Sequence, residues 1–229
     1  MTAIPLQRDE VFYPESDGQP MAETDLHRDL MVDLIRALRR RYRDEPDVYV
    51  TGNLFFYFVK GDPRAVVAPD LFLVKGVPKG RRRTYKLWEE GRVPSMVIEL
   101  TSDSTPDEDV YKKKNIYERL GVDEYFLFDP YEDYLSPSLQ GHRLTDGRYR
   151  SIEPEADGSL RSLTTGLLLR REGEMLRLVD AGTGEVLPWD EERDDEFERE
   201  RAARRAAEEK VRALEEELAR LRSGIQGKS

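Results

Sequence analysis

"SMVIELTSDST", residues 95–105, is the stretch on which the fold turns. Met96 to Leu100 reads as a short buried strand, because a brief apolar run bounded by turn formers is how such strands are written. Yet Glu99 sits inside it. A lone carboxylate is costly to bury unless it is neutralised, paired or bound to a cation. Two readings follow. Glu99 points to solvent from a half-buried strand, or the end of the strand is built for chemistry.

On the C-terminal side, "DEDVYKKKNIYERL" (107–120) reads as a helix with Val110, Ile116, Tyr117 and Leu120 on its apolar side and Gly121 as its stop. "EYFLFDP" (124–130) is the next strand, ended by proline. "LQGHRL", "GRYRSI", "LLLRR" and "MLRLVD" then suggest an antiparallel meander, and "DAGTGEVLP" (180–188) a turn with a short closing strand. On the N-terminal side lie "VYVTG" (48–52), "LFFYFV" (54–59) and "LFLV" (71–74), rich in aromatic and β-branched residues. "TYKLWEEG" (84–91) is a short strand or a loop. Residues 21–43 form an amphipathic helix carrying Leu26, Leu30, Leu34, Ile35 and Leu38 at helical spacing, with Thr24 or Asp25 as its cap and Pro46 beyond its end. This order gives an α+β fold, a mixed central sheet flanked by helices.

The chain of 229 residues has no cysteine, so its core stands without disulfides or thiolate zinc sites, which suits a reducing cytoplasm. No apolar run approaches the ~20 residues of a membrane span, and the acidic, proline-broken N-terminus lacks a signal-peptide pattern. The net charge of −10 argues against nucleic-acid binding by the whole surface. Three local basic clusters remain: 36–43, 79–83 and 111–114. Each is read first as a solvated face; "KGRRR" (79–83) is a solvated turn or a phosphate-contacting loop. The segment 190–222 differs from the rest. Val211, Leu214, Leu218 and Leu221 keep 3-4-3 spacing over about two heptads, enough for a charged helix with partial coiled-coil character.

A divalent cation would answer the question of Glu99, since Mg²⁺ favours one or two carboxylates and keeps several waters. "VVAPDLFLV" (66–74) supplies a second acid, Asp70, at the start of an apolar strand. Asp109, Lys113 and Tyr117 follow at i, i+4 and i+8, on one helix face. Lys113 either pairs with Asp109 at the surface or leans toward the sheet.

These stretches resemble the PD-(D/E)xK nuclease superfamily, in which the lysine lies two residues after the acid. This chain has Thr101 at that position. It is more closely similar to the putative restriction endonuclease family, a branch of that superfamily. The resemblance rests on "DGQPMAETDLHRDLM" (17–31), "VYVTGNLFFYF" (48–58), "VAPDLFLVKGVPKGRRRTYKLWEEG" (67–91), "VIELTSDST" (97–105) and "EDVYKKKNIYERLGVDEYFLFDP" (108–130). In that family the lysine moves to the following helix, four residues before a tyrosine, which points to Lys113. The resemblance implies a restriction-endonuclease-like fold and a metal-dependent endonuclease acting on DNA. It assigns Asp70, Glu99 and the backbone carbonyl of Leu100 to Mg²⁺ or Mn²⁺ and Lys113 to catalysis. Glu23, His27 and Lys114 stand as accessory candidates. The expected organisation is a flexible segment 1–20, a nuclease domain 21–188, a charged helix 189–222 and a disordered tail 223–229. The expected assembly is a cytoplasmic homodimer, with a partner through the C-terminal helix as a further option. The rival readings are a catalytically degenerate interaction module, and a hydrolase of small phosphodiesters or nucleotides using the same carboxylates.

Overall fold

A computed structural model describes residues 11–16, 24–101 and 107–226. The chain divides into two compact units, Met1–Leu187 and Pro188–Ser229.

The first unit is an α+β fold. Helix α1 (Asp25–Arg41) begins at Thr24, whose hydroxyl accepts the His27 N–H at 3.2 Å, and ends in Arg39, Arg40 and Arg41, which complement the negative end of the helix dipole. Strands β1 (Val48–Thr51), β2 (Phe56–Tyr57), β3 (Val66–Val67), β4 (Leu71–Lys75) and β5 (Tyr85–Lys86) follow, then the one-turn helix α2 (Leu87–Glu90) and strand β6 (Met96–Leu100). Helix α3 (Asp107–Leu120) leads to β7 (Glu124–Phe128), β8 (Leu139–Thr145) and β9 (Arg148–Ser151). Strands β10 (Leu160–Arg161), β11 (Leu167–Glu172) and β12 (Met175–Asp180) complete the unit.

The main sheet has six strands in the order β1-β4-β6-β7-β8-β9. It is mixed: β6 and β7 are parallel, as a strand pair bridged by a helix must be, and the other neighbours are antiparallel. β6 and β7 lie in the middle, and every residue of both is buried. A central strand covered on both faces has no solvent side to offer Glu99, so the half-buried reading of "MVIEL" fails. The expected single meander is instead divided. β8 and β9 extend the main sheet, while β10, β11 and β12 form a separate three-stranded sheet. "TYKLWEEG" is both a strand and a helical turn, ended by Gly91 at φ 71°.

One core cluster joins Tyr49, Phe56, Phe72 and Tyr85 to Val97, Tyr117 and Tyr125. The aromatic rings meet edge-on or stacked at 5.5–6.3 Å, each such pair adding about 0.5–1.5 kcal/mol beyond its buried area. In the N-terminal stretch 11–16, Tyr13 and Pro14 are half-buried, while Val11 and Phe12 are exposed. Tyr13 sits against Tyr57 and Trp88, and the Tyr57 hydroxyl donates to the Pro14 carbonyl at 2.6 Å.

Glu124 ties the six-stranded sheet to the turn after β10. Its carboxylate, almost wholly buried, accepts from Arg143 Nε on β8 at 2.9 Å. Past β10 it accepts from Ser162 Oγ at 2.5 Å, Leu163 N at 2.9 Å and Thr164 N at 3.2 Å.

His142 on β8 packs against the rings of Tyr125 and Tyr149, which also stack on each other. Burial, reinforced by the positive charge of Lys114, lowers its pKa to about 4. The folded pKa is below the unfolded one, so between these values the unfolded chain binds a proton that the folded chain refuses. Stability is therefore lost as pH falls through that window. Urea midpoints compared at pH of about 7 and about 4.5 are expected to drop less in His142→Gln than in the wild type. An equal drop in both would remove His142 from the acid response.

The second unit holds helix α4 (Asp190–Gln226), with Phe197 and Val211 exposed. The side chains of Leu214, Leu218 and Leu221 lie outside the described residues. No helix among the described residues is long and apolar enough to cross a membrane.

Candidate active site

Strand register brings the two acids together. β4 and β6 pair Leu71 with Ile98 and Phe72 with Val97. Continued by one residue, that register sets Asp70 opposite Glu99. Side chains alternate along a strand, so both acids lie on the face that carries Phe72 and Val97 into the aromatic core. Asp70 then reaches sideways. Its Oδ2 accepts the Leu100 N–H at 2.7 Å, and its Oδ1 lies 3.3 Å from His27 Nε2 on α1.

Asp70 is fixed from below by the turn after β1. The Asn53 N–H donates to the Pro69 carbonyl at 2.8 Å. A Cβ on Gly52 would lie 1.9 Å from the Asp70 carbonyl oxygen and 2.7 Å from Ile35 Cδ1. Only glycine lets the chain pass between α1 and the Pro-Asp turn. Sequence reasoning missed this pair of residues, although "TGN" directly after a strand was the available signal.

Glu99 receives its partners from α3. Lys113 Nζ lies 3.1 Å from Oε2, and the Tyr117 hydroxyl donates to Oε1 at 2.7 Å. Residues four apart on a helix share a face, so one turn of α3 presents an ammonium and a phenol side by side. Gly121, at φ +83°, ends the helix with its N–H on the Tyr117 carbonyl at 3.1 Å. Glu99 is 4% exposed. Burial raises its pKa to about 7 and the charge of Asp70 pushes the same way, while Lys113 and the Tyr117 hydrogen bond pull it down. Burial and the adjacent carboxylate hold the Tyr117 phenol well above its ordinary value, so it remains a donor at neutral pH. The hydroxyl contact of Tyr117 is a second feature that the sequence reading did not include.

The remaining candidates are placed as follows. His27 touches Asp70. Leu100 meets Asp70 through its N–H. Lys114 acts on Glu118 and His142 and is not among the charges that shift Glu99. Glu23 and the side chain of Asp109 lie outside the described residues. Among the described residues, no group of three or more His, Asp or Glu side chains is gathered as a metal cage. In "KGRRR", Lys79 Nζ donates to the carbonyls of Tyr42 and Arg43 at the end of α1. Arg82 covers the Tyr49 ring at 4.1 Å and pairs with Glu90 at 2.6 Å.

No curated protein matches the chain. Among solved structures it is similar to a putative nuclease of the DUF820 group from Anabaena variabilis. The two are 16% identical with a TM-score of 0.48, over 64% of this chain and 76% of that one. The sequence profile of Uma2, the putative restriction endonuclease family, matches residues 2–173, and the chain belongs to that family.

Proposed function

We propose that the protein is a divalent-metal-dependent endonuclease that hydrolyses phosphodiester bonds of DNA. One observation carries this reading: a buried glutamate, held by a lysine and a tyrosine from one helix turn, faces a second carboxylate on the neighbouring strand. The donor set fits Mg²⁺ or Mn²⁺, because such ions accept two carboxylates and keep waters for the rest of their shell. The raised pKa of Glu99 fits as well. Burial and Asp70 both disfavour its charge, and a nearby cation would relieve both.

Asp70, Glu99 and the carbonyl of Leu100 would hold the cation, which when bound supplies Lewis-acid polarisation of the phosphate. Asp70 is kept in place by the Leu100 N–H and by His27. Tyr117 keeps Glu99 oriented. Lys113 stabilises negative charge developing on the phosphate or orients the attacking water, its ammonium lying at the edge of the carboxylate pair. Hydrolysis forms one phosphorus–oxygen bond from water and breaks the bond to the departing sugar oxygen. Double-strand cleavage calls for two such sites related by a twofold axis, and we assign the pairing to α4, where Phe197 and Val211 are exposed. The cysteine-free composition supports a cytoplasmic setting.

Lys113→Ala is the test. Its side chain is only partly buried, so the fold is retained, and kcat for supercoiled DNA with Mn²⁺ is expected to fall by about 10²–10³. Full activity in a folded Lys113→Ala protein would refute the role given to this lysine.

A further inference from the structure

β1 is an edge strand of the six-stranded sheet, and a cavity of about 550 Å³ opens along it. Its wall carries five basic side chains, Arg39, Arg43, Lys79, Arg81 and Arg82, and no acid. In a chain where acids outnumber bases 47 to 37, such a segregated cluster runs against the average composition. Tyr42 and Tyr49 form part of the lining. Some of the charge is engaged locally. Arg82 is paired with Glu90, Arg39 Nε donates to the Val50 carbonyl at 2.9 Å, and Lys79 caps the end of α1. Arg43 and Arg81 are exposed. Arg43 has Asp44 at 3.7 Å, an ion pair whose side chains are 81% and 89% exposed and which water largely screens.

We propose that this cavity is a second contact site for the phosphate backbone of duplex DNA, gripping the substrate away from the carboxylates. The inference rests on the nuclease reading and adds to it the surface that holds the substrate. Helix α1 connects the two places. His27 touches Asp70 near one end, and Arg43 lies just past the other. Sixteen residue steps at ~1.5 Å each set Arg43, at the far end of the cavity, about 24 Å from His27. At 3.4 Å per phosphate along one strand, that is about seven base pairs of DNA. On a protein of net charge −10, long-range attraction for DNA is absent. A local cluster without acids is what can supply affinity, through release of counterions.

The experiment measures duplex binding by fluorescence anisotropy on the full chain across a salt series, with duplexes of about 20 and about 6 base pairs. Arg43→Ala/Arg81→Ala is expected to weaken binding of the long duplex about tenfold and to reduce the log–log salt slope by about 2. Arg43→Lys/Arg81→Lys should recover most of the loss. The short duplex, unable to span both sites, should bind the wild type more weakly than the long duplex does. Equal affinity and slope for wild type and the alanine pair on the long duplex would overturn the proposal. So would wild-type binding that does not depend on duplex length and is displaced by pyrophosphate, since the cavity would then be a small-anion pocket. The nuclease reading is judged separately, by cleavage with Mn²⁺. A long duplex bound through these arginines but never cut would reject that reading and leave the contact site standing. Cleavage with binding indifferent to the arginines would do the reverse.

Discussion

Glu99→Gln is expected to abolish Mn²⁺ binding by calorimetry and to lower cleavage by about 10³-fold, while raising the metal-free melting temperature above neutral pH. The last effect follows from the sign of the pKa shift. The folded pKa of Glu99 is about 7, above its ordinary value, so folding favours the protonated acid. The stability this group contributes is full at low pH and is lost as pH rises through about 7. Glutamine keeps the acceptor for the Tyr117 hydroxyl and carries no charge to bury. Removing the titrating group therefore flattens that part of the stability profile. Mn²⁺ should raise the melting temperature of the wild type by binding the folded state and leave Glu99→Gln unmoved. If both proteins respond equally to Mn²⁺, the ion binds elsewhere and Glu99 is a structural acid.

Glu124→Ala should produce the largest loss of stability away from the site. The carboxylate accepts one ion pair and three further hydrogen bonds, and alanine would leave Ser162 Oγ and two backbone N–H groups without it. Removing one partner of a buried pair costs about 3–5 kcal/mol. For a domain of this size that is a fall on the order of 10 °C in Tm. Glu124→Gln, which keeps one acceptor oxygen, should lie between. Mn²⁺ affinity measured well below the transition should be unchanged, because Glu124 stands at the opposite end of β7 from Phe128, beside which β6 ends at Leu100. A change in Tm of under about 2 °C would show that the turn after β10 is held by something else.

The elements that carry the acids were legible because their signals are local. "MVIEL" and "DEDVYKKKNIYERL" match β6 and α3 at both ends, since a short apolar run and a helical period are each self-contained. "LFFYFV" reads as a strand of six, yet only Phe56–Tyr57 pairs, because the partners β3 and β5 are themselves two residues long. The turn Leu87–Glu90 is shorter than any periodic window. The split of the last strands into two sheets depends on which strands find each other, and alternation within a strand does not encode that. In the site, the spacing of Lys113 and Tyr117 put both on one helix face. That Tyr117 gives its hydroxyl to Glu99, that His27 meets Asp70 across 43 positions, and that Gly52 makes room for the Asp70 backbone are long-range facts. No pattern within one segment contains them. The fold that results is an α+β arrangement with a mixed six-stranded sheet.

Tyr117 belongs both to the aromatic core and to the site, and Lys113 stands one helical turn before it. Docking of α3 therefore seals the interior and strips water from Glu99 in a single event. An ensemble in which α3 has lifted off loses core protection and the lysine–glutamate contact at once, so intermediates with a working site on a loosened core are not available. Amide exchange in the second half of α3 and residual cleavage should then report the same opening equilibrium. Cleavage activity during denaturant titration becomes a measure of how firmly one helix is seated.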